Sequence, residues 1–183
     1  MNYTTQNDLL LNKLMEFYKK EGGYNLRKML SIINGESKIS LRIVDWFATN
    51  YAKKNYTVYD LNNQRFKVYI DYKLKLKAYS KRRFDPFCRW ERIVIPFDDS
   101  CSIQTTLGQL NFFKWALENG VIDYIGANYS DIENDMNNRN SGSRRKTNQI
   151  TNNSITRKKR EELSVSAAKS IKKENVEIIV EFS

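Results

Sequence analysis

The chain has no histidine and only two cysteines, Cys88 and Cys101, in 183 residues. Without an imidazole, a Ser-His-Asp triad cannot be assembled, and a cysteine nucleophile would lack its usual base. Two cysteines cannot complete a structural zinc site by themselves. A disulfide-stapled extracellular fold would need more of them, so free thiols in a reducing compartment are expected, although the two could approach each other across a turn. Proline (2) and glycine (7) are scarce, which excludes collagen-like and loop-dominated chains. Neither a Walker A loop nor a dinucleotide glycine fingerprint occurs. Residues Met1 to Leu11 lack the basic-then-apolar order of a signal peptide, and no apolar run nears the ~20 residues that span a bilayer. Carboxylate pairs such as Asp98-Asp99 leave metal-carboxylate chemistry open, but adjacent acids in a loop are ordinarily solvated. A non-enzymatic protein with no cofactor is the expectation, in the cytosol, the nucleus or a particle.

Aromatic residues are plentiful, with 11 Tyr, 9 Phe and 3 Trp, and 40% of the chain is hydrophobic, enough for one substantial core. Helical spacing places Leu9, Leu10, Leu14, Phe17 and Tyr18 on a first helix over Asp8 to Lys20, ending at Gly22-Gly23. Leu26, Met29, Leu30 and Ile33 mark a second, and Ile43, Val44, Phe47, Ala48 and Tyr51 a third. The period then changes. Tyr56 to Leu61 reads as a strand and Asn62-Asn63 as a turn. From Phe66 to Ala78 apolar residues fall on even positions, while Lys67, Tyr69, Lys73, Lys75, Lys77 and Tyr79 fall on odd ones, predicting a long strand with one apolar and one basic face. Arg92 to Phe97 reads as a further strand, with Pro96 at an edge.

Thr106 and Gln109 have capping-box spacing ahead of a helix carrying Leu110, Phe113 and Leu117, which Asn119-Gly120 stops. A second helical stretch follows to Met136. The predicted fold class is therefore α+β: N-terminal helices, a small antiparallel sheet (hairpin 56–79 with 92–97 and 176–182), and a helical pair over 106–136. Residues 1–136 form the expected globular domain. Residues 137–160, rich in Asn, Ser and basic side chains, form an expected flexible linker, because they hold too little apolar surface to offset ordering entropy. Residues 161–183 are expected to form a helix and a strand that dock on the body.

The net charge is +10, from 31 Lys and Arg against 21 Asp and Glu. Between Asn137 and Lys173 stand 11 basic residues and two acids, +9; the last ten residues carry −3, leaving +4 for residues 1–136. The clusters Arg144, Arg145, Lys146 and Arg157, Lys158, Lys159, Arg160 could neutralise phosphates of a nucleic acid without reading sequence. A solvated linker and a nuclear-import signal are the competing readings. On the basic strand face, Tyr69 and Tyr79 could stack on bases while Lys73, Lys75 and Lys77 track a backbone. The preferred reading of that face is structural: Glu177 and Glu181 of the last strand pair with those lysines across the sheet. The run Arg82 to Arg92, dense in arginine and aromatics, reads either as a recognition loop or as a turn anchored by its aromatics.

The segments Gly35 to Phe47, Tyr72 to Arg92, Thr105 to Ile125, Arg157 to Leu163 and Val176 to Phe182 resemble a family of uncharacterised small proteins of giant viruses (mimivirus- and phycodnavirus-like large DNA viruses). The resemblance covers most of the chain outside 137–156 and implies a viral setting, in the host cytoplasm (viral factory), the nucleus or the virion. It implies no catalytic or ligand residues. The leading expectation is a viral protein that contacts nucleic acid through its basic C-terminal segment, in genome packaging, replication or transcription. The alternative is a virion structural protein whose tail contacts neighbouring subunits, and a host-directed interaction protein ranks third.

Overall fold

The computed structural model describes residues 5–98, 101–148 and 173–175, with 21, 98, 101, 140–148 and 173–175 described as backbone only. The chain is α+β, as expected. Helix α1 (Gln6–Lys19) opens with a reciprocal cap: the Asp8 amide donates to Thr5 Oγ1 and the Thr5 amide to Asp8 Oδ2. A 3₁₀ turn over Lys20–Gly23 leads into α2 (Tyr24–Ile33). Helix α3 (Leu41–Trp46), capped by Ser40, continues through a π-helical turn over Phe47–Tyr51 into the short α4 (Ala52–Lys54).

The hairpin of β1 (Val58–Leu61) and β2 (Gln64–Lys67) turns on Asn62 and Asn63, both at positive φ (50° and 64°). That is the conformation a two-residue hairpin turn demands and asparagine tolerates. Beyond Lys67 the structure corrects the sequence reading. The predicted strand through Ala78 is instead helix α5 (Val68–Arg83), bent at Ser80, whose φ of 62° and ψ of 168° interrupt the helical backbone. Every second even position is also one of an i, i+4 series, so Val68, Tyr72 and Leu76 form a helical stripe as readily as a strand face. Leu, Lys, Ala and Tyr dominate residues 72–79 and none is β-branched, which favours helix. The even positions left over, Ile70 and Leu74, face water, 43% and 60% exposed.

Strands β3 (Arg92–Asp98) and β4 (Cys101–Thr106) form an antiparallel pair, and β5 (Lys173–Asn175) adds to β4 in the order β3-β4-β5. Pro96 does lie on an edge strand, beside a register shift. Strand β4 went unforeseen, because Cys101 to Thr106 carries one large apolar residue, Ile103. Lys173 opens β5 opposite Ile103, so within 161–183 a strand begins ahead of the expected 176–182. The expected strand 176–182 lies outside the described residues, as do 149–172.

Three helices rather than two fill the stretch after β4: α6 (Leu107–Glu118), α7 (Val121–Ala127) and α8 (Tyr129–Asn148). Helix α8 runs twelve residues into the segment expected to be linker. Its first turns are anchored by buried Ile132 and Met136, and extending an existing helix costs far less than nucleating one. Helix α6 is the centre of the molecule, buried on nearly every face. Tyr18 of α1 donates its hydroxyl to the Leu110 carbonyl (2.7 Å), and Trp115 donates its indole N–H to Asp71 of α5 (2.6 Å). Around α6, Tyr72, Phe84, Phe112 and Trp115 form one aromatic cluster with centroids 5.5–6.5 Å apart.

Candidate nucleic-acid interface

The body is less neutral than its total suggests. Residues 65–92 hold ten basic side chains (Arg65, Lys67, Lys73, Lys75, Lys77, Lys81, Arg82, Arg83, Arg89, Arg92) against Asp71, Asp85 and Glu91, a net +7. With +4 over residues 1–136, the rest of the body is therefore −3. Most of this charge rides on α5, with six basic side chains against Asp71.

Folding α5 as a helix redistributes its lysines. Lys73 and Lys77, four residues apart, share one exposed side, whereas Lys75 is half-buried on the other. Three sequence-predicted contacts thus become two. Exposed Ile70 and Leu74, with Tyr69 and Leu76, line a groove of about 480 Å³ edged by Lys73 and Lys77.

The segment 46–54 joins this side of α5 to α8. Lys53 lies over the Tyr69 ring (5.7 Å to its centroid). Its neighbour Lys54 reaches the other way and pairs with Asp135 of α8 (2.5 Å). The Trp46 indole also donates to Asp135 (3.1 Å), and the Arg139 guanidinium lies over the Trp46 ring at 5.8 Å. The hydrogen bond from Lys54 holds the Asp135 carboxyl below its ordinary value, reinforced by Trp46 and by the charge of Arg139. Exposed Lys77 and Lys73 on α5, Lys53 over the Tyr69 ring and Arg139 over the Trp46 ring therefore mark a basic strip.

Of the residues singled out in sequence, Arg144, Arg145 and Lys146 fall in the last two turns of α8, continuing from Arg139. Arg157, Lys158, Lys159 and Arg160 lie outside the described residues. Sequence reasoning missed Lys53 and Trp46. The Lys53-Lys54 pair was visible in the chain, but nothing local indicated that the two side chains would diverge to different helices.

Near the C-terminal end of α5, Asp45 of α3 stands in the field of Asp85 and Lys81. Burial, then the charge of Asp85, raises its carboxyl from 3.8 to about 6, against the opposing pull of Lys81. Burial likewise raises Asp85. The folded state thus holds a proton at Asp45 that the unfolded chain releases at lower pH. Stability from this group is full below about pH 3.8 and is lost as pH rises through about 6. Asp45→Asn should remove that decline, leaving the variant up to about 3 kcal/mol more stable than the parent at pH 7.5 and near it at pH 4. Urea melts at the two pH values check this; equal gains at both would refute it.

Across residues 1–183 the chain matches the family described as "Family of unknown function (DUF7197)". It belongs to that family. The DUF7197 chain is 41% identical over 143 residues to "Uncharacterized protein L507" of Acanthamoeba polyphaga mimivirus, an alignment covering 73% of this chain and 55% of the relative. It spans about half the length of that curated relative. No solved structure matches. The giant-virus resemblance read from the sequence is thereby supported, and no helix among the described residues is long and apolar enough to cross a membrane.

Proposed function

We propose that this DUF7197 protein binds nucleic acid without catalysing a reaction, as an accessory to genome packaging, replication or transcription in a giant virus. The observation that carries the reading is the basic strip from α5 across Lys53 to α8. Lys73, Lys77, Lys53 and Arg139 supply phosphate contacts, and the chain beyond Arg139 adds Arg144, Arg145 and Lys146. Contacts of this kind displace counterions and position a backbone without reading bases. On this reading Arg144, Arg145 and Lys146 of the basic segment extend the strip along α8.

The test is a salt titration of full-length protein on duplex and single-stranded DNA. The logarithm of the association constant should fall linearly with the logarithm of salt, with a slope of about −0.9 per duplex phosphate engaged. Binding independent of salt would defeat the reading. Truncation after Met136 is a poor test, because it cuts α8 in mid-helix and removes Arg139 together with the segment beyond it.

A further inference from the structure

The loop between α5 and β3 presents an unusual combination: a backbone held fast and a tryptophan left in water. The loop is fastened to the N-terminal end of α6 at successive points. Asn111 Nδ2 donates to the Arg83 carbonyl (2.8 Å), the Asp85 amide to the Gly108 carbonyl (3.2 Å), and Gln109 Nε2 to the Pro86 carbonyl (3.1 Å). Thr106 Oγ1 donates to the Cys88 carbonyl (3.3 Å). Gln109 therefore does not close the capping box its spacing suggested; only its amide does so, by donating to Thr106 Oγ1. Its side chain secures the loop instead. Gly108 permits the close approach, since a Cβ there would stand 2.8 Å from Cys88 Cβ and 3.0 Å from the Arg82 carbonyl.

Phe84 and Cys88 are buried, so part of the Arg82 to Arg92 run is indeed an anchored turn. Trp90 is not part of the anchor. At 68% it is the most exposed large apolar side chain among the described residues, and its indole makes no hydrogen bond or ring contact among them. Arg82, Arg89 and Arg92 are exposed close by in sequence, and Glu91 is the one exposed acid of the loop.

We infer that Trp90 is a stacking platform for an unpaired base, so that the protein prefers single-stranded nucleic acid, with the neighbouring arginines facing its phosphates. The inference rests on the nucleic-acid reading above and deepens it. A solvent-facing indole on an anchored loop, with exposed arginines close by in sequence, can take any base by its π-face. In a duplex those faces are occupied by neighbouring base pairs, so the platform discriminates strand state rather than sequence. Anchoring the loop backbone in advance also reduces the ordering cost of binding. An apolar protein partner would be served by the same indole, but Arg82, Arg89 and Arg92, exposed close by in sequence, favour a polyanion.

The experiment compares full-length protein, Trp90→Ala and Trp90→Phe on a labelled oligothymidine and on a duplex of equal length at one salt concentration. Trp90→Ala should weaken single-strand binding by about 5- to 150-fold, leave duplex binding within about twofold, and be largely rescued in Trp90→Phe. Unchanged single-strand binding, or equal losses on both substrates, would overturn the assignment and leave Trp90 to a protein contact. Those outcomes leave the salt-dependent strip intact. Failure of the parent protein to bind either substrate removes both readings together.

Discussion

Neutralising Lys53, Lys73, Lys77 and Arg139 together as glutamines should lower the salt slope of duplex binding by about 3 to 4, because each lost phosphate contact removes about 0.9. At low salt the affinity should fall by on the order of 10²-fold or more. These four cations mark the strip along α5, segment 46–54 and α8, so their effects should be felt on one ligand. Lys75→Gln is the internal control. A strand would place Lys75 beside Lys73 and Lys77 as an equal contact, whereas the helix turns it to the half-buried side. Filter binding at several salt concentrations measures all of these. A quadruple variant with an unchanged slope would remove the strip from the proposal, and a Lys75→Gln loss matching that of Lys73→Gln would contradict the face on which the strip is built.

Phe112→Ala should cost about 3–5 kcal/mol of folding stability, whereas Leu74→Ala should stay within about 0.5 kcal/mol. Phe112 is fully buried on α6, with the rings of Phe84, Trp115 and Phe113 at 5.5, 5.6 and 5.9 Å and Tyr72 at 6.5 Å. Removing it opens a cavity between α5 and α6 that close-packed neighbours refill only partly. Single domains are stable by about 5–15 kcal/mol, so this one change consumes a large share. Leu74, 60% exposed, has little packing to lose. Had residues 66–78 formed a strand with its even face inward, Leu74 would be core and its truncation would cost about 2–5 kcal/mol. Denaturant melts of the two variants therefore test the conformation of α5 as well as the core, and a large Leu74→Ala loss would refute the helix.

The sequence alone determined what rests on local chemistry. The absent histidines excluded imidazole catalysis, the charge count located the cationic stretches, and asparagine at positive φ closed the 62–63 turn. Side-chain caps at Thr106 and stops such as Gly120 were equally legible, since each satisfies backbone groups within a few residues. The period of residues 66–78 was not, because a strict alternation contains an i, i+4 series and local pattern serves strand and helix alike. Only packing against Phe84, Phe112 and Trp115 decided which half of the even positions would be buried. The same tertiary choice separated Lys75 from Lys73 and Lys77. It also sent Lys53 and Lys54 to different helices and fixed the Trp90 loop through α6 side chains distant in sequence. Contacts of that range are set by how helices meet in space, and no window of neighbouring residues contains them.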